Sequence, residues 1–164
     1  MSSATSEAKR EGIAAAVERA VNDTNVYDIH THLYDPAFGE LLLWGIDDQL
    51  VYHYLVAEAF RHFDIGYDAF WRLAKEDQAQ MIWDALFVEN SPLSEACRGV
   101  LTVLSRLGLD ANQRGLPSIR NWFAEQDPGD YITRCMDLAK VETICMTNSP
   151  FDELETPKWD AGFE

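Results

Sequence analysis

Cysteine is scarce in this sequence. Cys97, Cys135 and Cys145 are far apart and form no Cys-x-x-Cys pattern, so neither a disulfide framework nor a zinc–thiolate site is indicated and a reducing cytoplasm fits best. Positive charge is scarce too. The 13 Lys and Arg stand against 28 Asp and Glu, a formal net charge of −15, which argues against nucleic acid or an anionic membrane surface as partner. The acidic excess reads as solvation of helix surfaces, and an anionic substrate would need a local cluster of Arg or Lys to overcome it. Long apolar runs are missing as well. Met1 to Arg10 is polar and charged where a signal peptide would carry its apolar core, and no later stretch approaches the length of a bilayer span. Internal repeats and low-complexity tracts are also absent. The expectation is a cytoplasmic protein whose partners are small molecules or proteins.

What is present suffices for one folded domain: 164 residues, 47% of them hydrophobic. Ser6 to Val21 sets Ile13, Val17, Ala20 and Val21 on one face at helical spacing. Val26 to His30 reads as a short strand, followed by the loop signal Tyr34-Asp35-Pro36. From Asp47 to Lys140 the pattern is helical almost throughout, with candidate helices at Asp47 to Arg61, Tyr67 to Ala74, Asp77 to Phe87, Ser118 to Glu125 and Asp130 to Lys140. The clearest helical segment follows Ser91-Pro92, where Leu93, Cys97, Val100, Leu101, Leu104 and Leu107 repeat at helical spacing. Pro92 suits its first turn and Gly108 its C-terminal end. Trp71, Trp83, Phe87 and Trp122 are expected to fill the core. A second strand, Val141 to Met146, runs into the turn-forming cluster Thr147-Asn148-Ser149-Pro150.

An ordinary βα unit returns to its sheet after roughly 30 residues, yet here the second strand begins only at Val141. The predicted architecture is α/β, with residues 1–32 as helix and first strand, 33–140 as a large helical insertion, and 141–164 as second strand and following loop.

The chemistry concentrates in Asp28-Ile29-His30-Thr31-His32. Alternation along a strand directs Asp28, His30 and His32 one way and Tyr27 and Ile29 the other. Two imidazoles at the end of a covered parallel strand need a specific partner, and a divalent metal, zinc above all, is the usual one. The bland alternative is a pair of hydrogen-bonded structural histidines. Asp28 lies one step deeper, suits a supporting hydrogen bond as well as ligation, and is not counted among the ligands. On one straight helix His53 and His62 would fall on opposite sides and could not share an ion.

The segments Tyr27-Asp28-Ile29-His30-Thr31-His32-Leu33, Trp44 with His53-Tyr54, and Met146 to Asp152 resemble the N-terminal part of uronate (glucuronate) isomerases of the amidohydrolase superfamily. The resemblance implies a partial (β/α)₈ barrel with its helical insertion between the first and second strands. It also implies a metal-dependent aldose–ketose isomerase acting on a hexuronate sugar. By the resemblance His30 and His32 are metal ligands, and His53, Tyr54, Arg61 and Asn148 are candidate substrate contacts. The later strands would supply the remaining ligand and most of the substrate clamp. A barrel of this type needs about 250 residues, so the expectation is a fragment or truncated product with a partial site, inactive alone and open to self-association through its free strand edges. Two other readings stand beside it: a metal-dependent hydrolase of the same superfamily, and a non-catalytic helical interaction module.

Overall fold

A run such as Val141-Glu142-Thr143-Ile144, rich in β-branched residues, favours a pleated strand, and in the computed structural model it forms one. The structure describes residues 2–34, 38, 41–149 and 151–157. Asp35, Pro36 and Pro150 of the two expected turns, and the tail 158–164, lie outside the described residues. The chain divides into two units, Met1–His32 with Ile132–Asn148, and Leu33–Tyr131 with Ser149–Glu164.

In the first unit, helix α1 (Ser2–Asp23) leads into strand β1 (Val26–Thr31). Thr24 donates its hydroxyl to the carbonyl of Ala20 at 2.6 Å, tying off the helix end. Strand β2 (Val141–Met146) pairs parallel with β1, Val26 lying opposite Val141 and Thr31 opposite Met146. Lys140, at φ 53°, makes the turn into β2, and its carbonyl accepts the first cross-strand bond from the Val26 N–H at 2.7 Å. The far end is closed by the carbonyl of Thr31, which accepts from the Thr147 N–H at 2.8 Å and the Thr147 hydroxyl at 3.1 Å.

Both elements expected at the N-terminus form, but the apolar faces assigned to them do not become buried. Ile13, Val17 and Val21 are exposed, as are Tyr27 (61%) and Ile29 (78%). Alanine-rich, Glu- and Lys-bearing sequence is enough to hold α1 helical without a packed face. Among the described residues of this unit, no large apolar side chain is buried, and Thr31, at 8% exposure, is the most enclosed.

The second unit holds the core. Helix α2 (Gly45–Leu50) packs on α5 (Lys75–Trp83) and α7 (Pro117–Ala124), and α3 (His53–Ala59) packs on α5 and on α6 (Glu95–Leu107). A short helix α4 (Tyr67–Phe70) and a π-helical turn (Asp84–Val88) complete this block, and α8 (Pro128–Ala139) starts in this unit and ends in the first. Arg120 ties three of these helices together. Its guanidinium meets both oxygens of Asp47 at 3.0 and 3.1 Å through Nε and reaches Glu76 Oε1 at 3.2 Å and the Glu76 carbonyl at 2.8 Å. Burial lifts the Asp47 carboxyl above its usual range despite the opposing pull of Arg120, so the pair fixes helix geometry more than it adds net stability.

Three details depart from expectation. The helix expected over Asp47 to Arg61 is two helices, broken at Val51 and Tyr52, where Tyr52 is extended at ψ 141°. On a single straight helix Leu50 and Leu55 would diverge by roughly 140°. The break brings both into the core, and it leaves Arg61 and His62 beyond the end of α3. The α6 helix starts later than Pro92 implies. Ser94 is its N-cap, accepting the Cys97 N–H at 3.1 Å, while Leu93 stands outside at 79% exposure. Gly108 ends it at φ 80°, as its position suggested. Finally, Trp83 is in the core and stacks on Phe87 at 4.6 Å, but Trp71 is nearly half exposed.

Leu104→Ala in α6 is expected to cost about 2–5 kcal/mol, whereas Leu93→Ala should change stability by less than about 0.5 kcal/mol. Urea unfolding followed by circular dichroism measures both. Hydrogen exchange adds a second check: amides of β1 and β2 should exchange well before those of α5 and α6, since no large apolar side chain of either strand is buried.

Candidate functional site

Three of the residues singled out from sequence come together at the C-terminal ends of the paired strands. The rings of His30 and His32 lie 5.2 Å apart, centre to centre, at 89°, and both are exposed. Two imidazoles on one tetrahedral zinc, each nitrogen at about 2.0–2.1 Å, have ring centres roughly 5 Å apart, so the observed spacing fits a shared ion. Edge-to-face aromatic contact alone also allows it. Among the described residues no group of three or more His, Cys, Asp or Glu side chains is placed to hold a metal. The donor set here is two nitrogens.

The strand does not deliver these rings by simple alternation. Between Asp28 and Thr31, β1 spends three steps where β2 spends two, from Ile144 to Met146. This irregularity re-aims side chains and frees backbone groups. One freed group has a partner: Asp28 Oδ1 accepts the His30 N–H at 3.0 Å. Asp28 therefore holds the backbone that carries His30.

Asn148, two residues past β2, points its Oδ1 at His32 Nδ1, 2.8 Å away. An amide oxygen can only accept, so the contact is a hydrogen bond in the tautomer that carries its proton on Nδ1. The other end of the same amide, Nδ2, is buried without a hydrogen-bond partner.

His53, Tyr54 and Arg61 all belong to the second unit. His53 opens α3, with its ring between Tyr52 at 4.3 Å and Tyr54 at 4.1 Å. It also lines an apolar cleft of about 380 Å³ with Val56, Phe60, Tyr67 and Trp71. Tyr54 and Arg61 are exposed.

Sequence reasoning missed the links that organise these residues. Asp28 to His30 had a local signal, an acidic residue two positions before a backbone N–H. The Asn148–His32 contact joins the two strand ends and had none. Nor did the pair Tyr34–Glu155 in the second unit. The Tyr34 hydroxyl donates to Glu155 Oε1 at 2.7 Å, Glu155 is 7% exposed, and its Oε2 is buried without a hydrogen-bond partner. The Glu155 hydrogen bond first, then burial, push the Tyr34 phenol up to about 12.

A largely helical α/β chain with a two-stranded parallel sheet is thus defined by the fold. Compared with solved structures, it is similar to a uronate isomerase from Bacillus halodurans C-125, with 49% sequence identity and a TM-score of 0.87. That match covers 93% of this chain and 36% of the other. The chain resembles the N-terminal portion of the uronate isomerases in both sequence and fold, and it spans about a third of the length of the chain it matches. No protein-family model and no curated protein sequence matches it. Among the described residues no helix is long and apolar enough to cross a membrane.

Because the folded pKa of Tyr34 lies above the ordinary phenol value of about 10, the Tyr34–Glu155 bond is fully formed below that pH. Its contribution is lost as pH rises through about 12. Absorbance titration should show one tyrosine ionising late, and Glu155→Leu should return it toward about 10.

Proposed function

We propose that this chain forms the first two strands of a (β/α)₈ barrel of the uronate isomerase type, with residues 33–140 as the helical insertion between them. In a complete barrel of this type the reaction is aldose–ketose interconversion of a hexuronate. The single observation that carries the reading is the His30–His32 pair at the C-terminal end of β1, with Asn148 facing it from the end of β2. Barrel enzymes build their sites on that rim. The 49% identity to a uronate isomerase supports the choice of reaction over hydrolysis.

His30 and His32 are the residues that would hold a divalent ion, zinc by the chemistry of two imidazole donors. Such an ion supplies a Lewis acid that polarises a sugar oxygen. The chain's own residues do the rest of the local work. Asp28 holds the His30 backbone, and Asn148 orients His32. Exposed rings leave the lone pairs open to the rim. His53, Tyr54 and Arg61, all in the second unit, are by the resemblance candidate substrate contacts. The proton moved between the first two sugar carbons needs a base, and no residue of these 164 is given that role. Two imidazoles are one fewer than the three protein ligands usual at a catalytic zinc, so the 164 residues by themselves should hold zinc weakly and turn over no sugar. A cytoplasmic setting suits the free cysteines.

Zinc titration by calorimetry is expected to show weak binding that disappears in His30→Ala/His32→Ala. Unchanged zinc content in that double variant would remove the ligand assignment. Incubated with glucuronate, the 164-residue chain should form no ketose, and a form extended through eight strands should. Ketose formation by the short form would overturn the inactivity, and a silent extended form would overturn the isomerase reading.

A further inference from the structure

We infer that Asn148 is a positioning residue that fixes the proton of His32 on Nδ1 and so keeps Nε2 free to bind a cation. The inference deepens the metal reading proposed above and rests on it.

The two residues meet only because β1 and β2 pair. Thr147 donates twice to the Thr31 carbonyl, which locks the residue before Asn148 to the residue before His32. That clamp brings Asn148 Oδ1 to 2.8 Å from His32 Nδ1. A neutral imidazole has one N–H, and the hydrogen bond made by one nitrogen decides what the other can do. With an amide oxygen at Nδ1, the proton stays there and the lone pair sits on Nε2. If the amide were reversed, its N–H would donate to Nδ1 and force the proton onto Nε2, where it would block a cation. The orientation of one side-chain amide therefore decides whether His32 is a ligand or a donor.

His30 has no comparable side-chain partner among the hydrogen bonds of the described residues. Its backbone is held by Asp28, while its ring meets His32 edge to face. The two histidines are thus supported differently, His30 through its main chain and His32 through its ring. Loss of Asn148 should affect His32 alone.

The test uses the 164-residue chain with nitrogen-15-labelled histidine, free of metal, at a pH where imidazole is neutral. Long-range proton–nitrogen spectra should show His32 as the Nδ1–H tautomer. In Asn148→Leu, similar in size but without the acceptor, His32 should shift toward Nε2–H, with circular dichroism unchanged. In Asn148→Asp, which keeps an acceptor oxygen, the Nδ1–H form should return. Zinc affinity should follow the tautomer, weakening about 10–100-fold in Asn148→Leu and recovering in Asn148→Asp. An Nε2–H tautomer in the unaltered chain, or one unmoved by Asn148→Leu, overturns the inference. A shifted tautomer with unchanged zinc affinity also overturns it. If Asn148→Leu fails to fold, the unaltered chain and Asn148→Asp still decide the matter, since both must show Nδ1–H. Should the unaltered chain bind no zinc while the tautomers behave as stated, the metal reading fails and the contact between Asn148 and His32 stands.

Discussion

The parallel pairing of β1 with β2 is the constraint on which the candidate site depends. His30 and His32 belong to one end of the sequence and Asn148 to the other, and a short ladder closed by Lys140 at one end and Thr147 at the other sets them side by side. The ladder has little apolar burial behind it, since Tyr27 and Ile29 face outward. Its cohesion is backbone hydrogen bonding, each bond adding only about 0.5–1.5 kcal/mol net. The clamp at Thr31 matters for that reason, because it adds a hydroxyl bond to a backbone bond at the residue between the two imidazoles.

Within that ladder, irregularity serves the site better than regularity would. A straight strand would simply alternate its side chains. The extra residue of β1 between Asp28 and Thr31 lets the chain turn its end while Asp28 absorbs the freed N–H of His30. Bulges of this kind recur beside active sites, where they re-aim a side chain. Asp28, which the strand pattern left between ligand and support, acts on the main chain.

Much of the fold could be read in the sequence where the signal was local. The span of β2 followed from its β-branched run, the end of α6 from Gly108, and the long return between strands from the late position of Val141. Readings failed where tertiary contacts override local pattern. Nothing local says that Val51 and Tyr52 interrupt a helix, because the reason is the demand that Leu50 and Leu55 share one core. Apolar periodicity in α1 and β1 was real, but periodicity does not reveal whether a covering surface is present. For the candidate site, the His-x-His pattern marked the end of β1, and the resemblance named Asn148. Its contact with His32 became visible only once two distant strands were laid in register.

The order of the elements carries one more consequence, for how the protein reaches its folded state. The first strand must wait for its neighbour until the whole helical block between Leu33 and Lys140 has been made. Closing so long a loop as a flexible chain costs entropy before any contact compensates it, and such non-local pairing slows folding. The helical block, with a core of its own, can condense first and shorten the effective loop. The imidazole pair would then be the last part of the molecule to acquire its neighbours and the first to lose them on warming.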